Sequence, residues 1–180
     1  MPLQITKADV SHAAIIATIG KKSFRHSFEH LFKCRDELFE YLNHTYDPIK
    51  LARSLRKENN IYFIAWRDGE ALGFAKVKKH SLHDLIESGA QMELQKLYVL
   101  PEHQRKGAGS ALLLEVKNLA REICPDYIWL DAHITNENAI RLYQNIGFEK
   151  IGKHHFTIGT QTFEYHVMGL PVALNIKTAC

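Results

Sequence analysis

The sequence is poor in features that mark several protein classes. Among its 180 residues are only three cysteines, Cys34, Cys124 and Cys180, which are far apart and form no CxxC pair. Cysteines in this pattern predict neither a disulfide framework nor a zinc ribbon. No apolar stretch approaches the roughly 20 residues that cross a bilayer, so no membrane partner is predicted. The first residues, MPLQITKADV, lack the basic and apolar segments of a signal peptide, and we expect a cytoplasmic protein.

Charge bias, linkers and metal ligands are equally scarce. The formal net charge is +3, and the basic residues are spread along the chain, which is too weak a bias to predict a nucleic-acid partner. No repeat or Gly-, Ser- or Pro-rich linker divides the chain, so we predict one domain over residues 1–172 and a loose tail over 173–180. The pair His154–His155 has the wrong spacing for a helical HxxxH site. No carboxylate or cysteine cluster completes it, and no metal is predicted.

Hydrophobic periodicity predicts an α/β chain with a mixed sheet. Two runs rich in aromatic and β-branched residues flank Asp68–Gly69, a dipeptide typical of a β-hairpin turn. A later strand–loop–helix–strand unit predicts a parallel crossover between two neighbouring strands. In chain order, the predicted elements are a strand (3–10), helices to about residue 56, a hairpin (61–80), a strand (91–101), an amphipathic helix from about 109 to 124, a buried strand (127–134), a short helix (136–148) and two final strands (149–159 and 161–170).

The segment HQRKGAGS, residues 103–110, carries the strongest functional signal. It follows a predicted strand, precedes the amphipathic helix and contains Gly107 and Gly109. Free N–H groups and the dipole at a helix N-terminus attract anions, and glycines allow close approach. Arg105 and Lys106 add positive charge. The segment therefore predicts a phosphate-binding loop.

Two common phosphate-binding patterns do not fit this loop. The nucleoside-triphosphate pattern GxxxxGK[ST] is missing from the sequence, and the dinucleotide pattern GxGxxG fails at Leu112. The remaining pattern is Gln104-x-x-Gly107-x-Gly109. Preceded by LQKLYVLPEH and followed by NENAIRLYQNIGF, it resembles the coenzyme A loop and the second signature of the GNAT superfamily of N-acetyltransferases.

That resemblance, strongest over residues 91–148, implies a fold and a co-substrate. The fold would be a twisted, mostly antiparallel sheet of about seven strands flanked by helices, with a splay between strands 4 and 5. Acetyl-CoA would enter the splay, and no metal would be needed. The fourth-strand backbone and the loop amides would hold it, while Asn136 and Asn138 would contact its arm or cap a helix. The implied binding residues are Leu97, Tyr98, Val99, Gln104, Arg105, Lys106, Gly107, Ala108, Gly109, Ser110, Asn136, Asn138 and Tyr143.

The resemblance also implies catalytic groups. Tyr143 matches the family tyrosine whose hydroxyl donates a proton to the departing thiolate. Only a neutral amine attacks a thioester, and deprotonation at pH 7 costs about 4 kcal/mol, so a base is useful. Glu93 is the first candidate, and in a regular strand it shares a face with Val99 and the other cofactor-pairing residues, although a bulge would break this relation. Asp131 and His133 are alternative bases. The Val99 N–H is the expected donor to the thioester oxygen.

The likeness extends to the acyl acceptor. The segments MELQKLYVLPEHQRKGAGSALL and NENAIRLYQNIGFEKIGKHHFTIG look most like the bacterial PaiA-like spermidine/spermine N-acetyltransferases. This implies a small-molecule amine, a polyamine, that attacks acetyl-CoA directly in a ternary complex. The alternatives left open are a protein N-terminus, a lysine, an aminoglycoside-like amine and a non-catalytic acetyl-CoA sensor. Both a monomer and a homodimer are compatible with the sequence.

Overall fold

One seven-stranded sheet with helices on both faces organises the chain. The computed structural model describes residues 2–172, and the predicted tail, residues 173–180, lies outside them. The strands are β1 (Gln4–Lys7), β2 (Asn60–Arg67), β3 (Glu70–Lys78), β4 (Gln91–Val99), β5 (Tyr127–His133), β6 (Glu149–Ile158) and β7 (Gln161–Pro171). The helices are α1 (Ala13–Phe28), α2 (Arg35–Thr45), α3 (Pro48–Leu55), α4 (Ala108–Ile123) and α5 (Glu137–Asn145).

The strand order is β1-β2-β3-β4-β5-β7-β6, and β4–β5 is the single parallel pair among the described residues. Helix α4 connects these two parallel strands, as a crossover requires. The predicted α/β fold with a mixed, mostly antiparallel sheet is confirmed. The two final strands pair with each other inside the chain's own sheet, and β6 forms one rim.

Local sequence signals set several element boundaries. Asp68 and Gly69 have φ angles of 53° and 78°, the left-handed conformations that a two-residue hairpin turn needs. Asp47 accepts a hydrogen bond from a backbone N–H in the first turn of α3 at 2.8 Å, and Pro48 opens that helix. Gly147, with a φ of 100°, lets the chain leave α5. These boundaries follow from residues that are close together in sequence.

Two hydrophobic cores lie on opposite faces of the sheet. The first is between the sheet and helices α4 and α5, and it includes Leu112 and Ile140. The second is between the sheet and helices α1 to α3, and it includes Ile16 and Leu51. Full burial of a side chain of this size contributes about 1.5–3 kcal/mol. Both faces of the central strands are thereby fixed against helices.

A bulge in β4 decides which of its side chains face which core. The register with β3 advances by one residue at Gln95, which has no partner opposite it. Leu94 before the bulge and Val99 after it both pack on the α4 side, a spacing that a regular strand does not allow. Glu93 therefore lies on the α1–α3 side. The expectation that Glu93 shares a face with Leu97 and Val99 is wrong, because it assumed a regular strand.

Candidate active site

Strands β4 and β5 part from each other within the sheet. Their parallel pairing covers three positions and ends where Glu93 lies opposite Trp129. Beyond this point a cleft of about 680 Å³ opens between α1, the end of β4, the loop that follows it and α5. The predicted splay between the fourth and fifth strands is therefore present.

The backbone of β4 is open toward the cleft. Leu100 donates its N–H to the Leu72 carbonyl of β3 at 2.8 Å. Because backbone groups alternate between the two edges of a strand, those of Tyr98 also point to β3, whereas those of Leu97 and Val99 point to the cleft. The pairing with β5 has already ended there. An extended ligand with amide groups can thus pair with Leu97 and Val99. The backbone of Tyr98, which was also expected to pair with the ligand, faces β3 instead.

The loop after β4 forms an anion-binding end of the cleft. Arg105 and Gly107 have positive φ angles of 60° and 88°. Gly107 is the N-cap of α4, and nothing lies within 4 Å of the position that a Cβ would take there. Gly109 and Ser110, in the first turn of α4, also line the cleft. The N–H groups and the dipole of this helix end are therefore available to a phosphate group.

Three expected loop residues have other contacts. The side-chain amide of Gln104 lines the cleft but donates to the Val99 carbonyl at 3.3 Å. Lys106 lies outside the cleft wall, and its Nζ donates to the Glu102 carbonyl at 2.8 Å. The Ala108 side chain is buried in the core beneath α4. Lys106 and Ala108 thus contribute to the shape of the loop, and their side chains do not face the cleft.

Two asparagines border the middle of the cleft at the start of α5. The Asn136 side chain accepts a hydrogen bond from the Ala139 N–H at 3.3 Å, as an N-cap does. The Asn138 side chain accepts one from Arg141 at 3.3 Å. Asn136 therefore caps the helix, and it also faces the space that a ligand would enter.

Tyr143 reaches the cleft from α5. Its side chain is buried in the first core, and its ring centroid lies 5.8 Å from that of Phe148. Part of the residue lines the cleft. Burial raises the pKa of the Tyr143 hydroxyl well above its ordinary value, which keeps it protonated near neutral pH. A protonated hydroxyl at this place can donate a proton or a hydrogen bond.

Glu93 lies at the vertex of the splay and outside the cleft wall. Only 12% of its side chain is exposed. Its Oε2 accepts a hydrogen bond from the Ser81 hydroxyl at 2.7 Å and lies 3.7 Å from Lys78 Nζ. A proton from the cleft would therefore reach this carboxylate through water rather than directly.

The two alternative bases on β5 are already engaged. Asp131 forms a contact of 2.7 Å with His154 Nδ1. His133 Nδ1 accepts a hydrogen bond from the Thr135 N–H at 3.2 Å, so the neutral ring carries its proton on Nε2. Burial, and to a lesser extent the charge of His30, lowers the pKa of His133. Neither residue lines the cleft.

A polar face of α1 was missed by the sequence interpretation. Ser23, His26 and Ser27 of α1 and His30, in the short turn that follows it, line the cleft, and the Ser23 hydroxyl is buried without a hydrogen-bond partner in the described part of the chain. The spacing of three and four residues from Ser23 places the α1 members on one side of the helix. This pattern is visible in the sequence, although nothing local indicates that α1 crosses the splay.

Comparison with known families assigns this arrangement. The model of the acetyltransferase (GNAT) family matches residues 24–148. The chain belongs to the acetyltransferase (GNAT) family. The matched region runs from α1 to the end of α5, and it contains the open part of β4, the anion-binding loop and Tyr143.

Similar proteins agree with this assignment. The GNAT chain is 23% identical over 124 residues to an uncharacterized N-acetyltransferase in the pepI 3' region of Lactobacillus delbrueckii subsp. lactis, covering 69% of this chain and 72% of the relative. It is 26% identical over 121 residues to an N-alpha-acetyltransferase of Sulfurisphaera tokodaii, covering 61% and 70%. PaiA N-acetyltransferase from Thermoplasma acidophilum, solved in complex with coenzyme A, superposes with a TM-score of 0.77 at 19% identity, covering 95% of this chain and 99% of that chain, which shows a shared fold.

This GNAT protein is therefore an N-acetyltransferase that takes its acetyl group from acetyl-CoA and passes it to an amine of a small molecule or peptide. Between residues 2 and 172, no group of three or more His, Cys, Asp or Glu side chains is placed to hold a metal ion. No helix in the same range combines the length and apolar character needed to cross a bilayer.

Proposed function

We propose that this GNAT protein transfers acetyl directly from acetyl-CoA to a small primary amine within a ternary complex. The observation that carries the proposal is the backbone edge of β4 at Leu97 and Val99, which pairs with no other strand and borders the same cleft as the anion-binding loop and Tyr143. An amide-bearing arm can pair with the strand edge while its phosphates lie at a helix N-terminus. The thioester of acetyl-CoA would then lie inside the splay, beside β4.

The cofactor assignment follows from the backbone. We assign the coenzyme A arm to the backbone groups of Leu97 and Val99, and the pyrophosphate to the N–H groups between Gly107 and Ser110. The Arg105 side chain would add a full positive charge beside the pyrophosphate. The left-handed conformation of Gly107 supports this assignment, since it turns the first N–H groups of α4 toward the cleft.

Three groups of the chain would move or hold charge during the reaction. Glu93 would accept the proton of the amine through water, which offsets the cost of about 4 kcal/mol for neutralising an alkylamine at pH 7. The neutral amine attacks the thioester carbonyl, and the Val99 N–H would donate to the resulting oxyanion. As the carbon–sulfur bond breaks, Tyr143 would give its proton to the thiolate of coenzyme A.

A polyamine such as spermidine or spermine is the first acceptor class that we propose. Its support is the sequence likeness to PaiA-like enzymes. The charges near Glu93 constrain how such a polycation would lie, because Lys76, Lys78 and Lys96 are all close enough to interact with that carboxylate. Their repulsion would direct the distal ammonium groups away from β3 and toward β5.

A peptide N-terminus is the second candidate acceptor, because the Sulfurisphaera tokodaii relative is an N-alpha-acetyltransferase. The two candidates differ in their need for a base. A peptide α-amine has an ordinary pKa of about 7.7–8.0, whereas an alkylamine is protonated up to about pH 10. Replacement of Glu93 by Gln should therefore slow polyamine acetylation more than peptide acetylation.

The test is coenzyme A release, followed with a thiol-reactive dye, from acetyl-CoA with spermidine, spermine, lysine or a peptide N-terminus. We expect the fastest release with the polyamines. Tyr143→Phe should lower kcat about 100-fold, the scale of a lost general acid. Tyr62→Phe is the matched control, since its hydroxyl contacts Ser54 at 2.8 Å, far from the cleft wall.

The acceptor class and the role of Tyr143 can each be contradicted separately. Release with the peptide alone would replace the polyamine with an N-terminal amine. Release by Tyr143→Phe at the wild-type rate would remove the general-acid assignment. No release with any amine, despite tight binding of acetyl-CoA, would overturn the proposed acceptor classes.

A further inference from the structure

The carboxylate of Glu93 is held by a loop that the known chemistry does not explain. We propose that Ser81, in the loop between β3 and β4, is a positioning residue that fixes the Glu93 carboxylate for proton transfer. The inference rests on the proposed role of Glu93 as the base, and it adds a residue that lies outside both the cleft wall and the acetyltransferase signatures.

Ser81 contacts one oxygen of the carboxylate and leaves the other available. Its hydroxyl donates to Glu93 Oε2 at 2.7 Å, and Lys78 Nζ lies 3.7 Å from the same oxygen. Within residues 2–172, Glu93 Oε1 has no hydrogen-bond partner. One oxygen is thus tethered while the other can accept a proton through water, which is the arrangement that a base requires.

Ser81 is itself tied to the vertex of the splay. The Trp129 indole N–H donates to the Ser81 carbonyl at 2.7 Å. Trp129 also lies opposite Glu93 in the last residue pair before β4 and β5 part. The Ser81 N–H donates to the Gln91 carbonyl at 3.3 Å. The hydroxyl therefore has a defined position relative to both strands at the point where they separate.

The rest of the loop is fixed by the buried side chain of Gln91. Its Oε1 accepts the His83 N–H at 2.7 Å, and its Nε2 donates to the carbonyls of Ser88 at 2.7 Å and Ile86 at 3.0 Å. Gln91 is 2% exposed, so these bonds are protected from water. A loop without secondary structure is thereby held nearly as firmly as a strand, and Ser81 can serve as a fixed support.

The charges around Glu93 explain why a tether is needed. Lys78 and Lys76 of β3 and Lys96 of β4 all interact with its carboxylate. Without the Ser81 hydroxyl, the carboxylate can turn toward these lysines and away from the cleft. The same loss removes a hydrogen bond to the charged form, which makes the carboxylate easier to protonate, so Glu93 should act as a base only at higher pH.

The experiment measures kcat for coenzyme A release with saturating acetyl-CoA across the pH range 5 to 9, and the KM for acetyl-CoA in a separate titration with saturating amine. Ser81→Ala should lower kcat about tenfold and move the acidic limb of the profile to higher pH by about one unit. The KM for acetyl-CoA should not change. Ser81→Thr keeps the hydroxyl and should restore both kcat and the profile. Ser88→Ala is the matched control. It removes a hydroxyl from the same loop, but that hydroxyl bonds Asp126 and not Glu93.

A second variant covers the case in which Ser81→Ala does not fold. Trp129→Phe keeps an aromatic ring but removes the N–H that holds the Ser81 carbonyl, and it should shift the acidic limb in the same direction by less. An unshifted limb in both variants would overturn the positioning role. Equal losses in Ser81→Ala and Ser88→Ala, without a pH shift, would also overturn it in favour of loop stability. Glu93→Gln distinguishes this failure from a failure of the proposed function. Full activity in that variant would show that Glu93 is not the base.

Discussion

Lys96 is a half-buried cation in the strand that borders the cleft. Its Nζ lies 5.4 Å from the ring centroid of Tyr46 and 5.9 Å from that of Tyr98. The aromatic faces attract the charge, but they replace only part of its hydration. Burial lowers the pKa of Lys96 to about 8, and the charge of Glu93 opposes this shift. The folded state therefore holds this proton less tightly than the unfolded chain does.

This difference makes stability depend on pH. From about pH 8 to pH 10 the unfolded chain keeps the proton that the folded chain has released, so the free energy of unfolding should rise with pH. Lys96→Met should stabilise the protein at pH 7 by about 1–2 kcal/mol, less than the full shift implies because the side chain is partly solvated, and it should flatten this rise. Urea unfolding at pH 7, 8, 9 and 10 measures both effects.

The control for this prediction is Lys7→Met, which changes an exposed lysine on β1. It should leave the pH dependence as in the wild type. A residual slope is expected in Lys96→Met, since burial also lowers the pKa of Lys76 to about 8. Identical slopes in all three proteins would contradict the assignment of the effect to Lys96.

At the scale of single elements, Asn136 at the N-terminus of α5 allows a structural role to be distinguished from a binding role. Asn136 caps the helix and borders the cleft. Asn136→Ala should lower the free energy of unfolding by about 1 kcal/mol and raise the KM for acetyl-CoA, because the helix end frays. Asn136→Ser keeps a capping oxygen and should restore stability. Thermal unfolding and coenzyme A release measure the two effects.

The outcome for Asn136→Ser decides between the two roles. A KM like that of the wild type would mean that the residue acts through the cap. A KM that stays high despite normal stability would mean that the amide contacts the ligand. Asn138→Ala serves as the control, since its side chain accepts a bond from Arg141 and supports no backbone group.

The elements that the sequence predicts well depend on neighbours in the chain. The turn at Asp68–Gly69, the start of α3 at Asp47 and the cap at Asn136 each rest on a hydrogen bond or φ angle within a few residues. The loop and Tyr143 were found because their signatures have fixed spacing. All these predictions use information that is local in sequence.

The bulge at Gln95 and the face of α1 could not be predicted in this way. Whether β4 gains an extra residue depends on its register with β3, which is a contact between distant segments. This single residue reverses the side of the sheet that Glu93 occupies. The contact from Ser81 to Glu93 has the same origin, because a loop predicted only as irregular folds back on the strand that follows it.

At the scale of the whole molecule, the cleft lies where the two halves of the sheet diverge. Within the described residues, strand pairing joins the halves, β1 to β4 and β5 to β7, through only three residue pairs between β4 and β5. A ligand that pairs with β4 and contacts α5 would join elements from both halves. Binding should therefore stabilise the molecule as a unit rather than one core alone.

Coenzyme A should accordingly raise the melting temperature. At a concentration 100 times its Kd, a ligand adds about 2.7 kcal/mol, which corresponds to roughly 5–10 °C for a chain of this size. Gly107→Ala should reduce this shift, because its φ of 88° strains a residue with a Cβ and displaces the loop. Differential scanning fluorimetry with increasing coenzyme A provides the measurement.

Gly89→Ala is the matched control for the loop glycine. Its position also has open space around an added Cβ, but it is outside the cleft wall. The shift with coenzyme A should then match that of the wild type. A full shift in Gly107→Ala would show that the loop conformation is not needed for binding.

The unpaired edge of β4 has a consequence for aggregation. A free strand edge at the rim of a sheet is a template on which the strand of another protein can assemble. Here the edge at Leu97 and Val99 lies inside a cleft flanked by α1 and α5, and not at the rim of the sheet. The fold can thus leave the β4 backbone edge accessible to an extended, unbranched ligand while shielding it from the strands of other proteins.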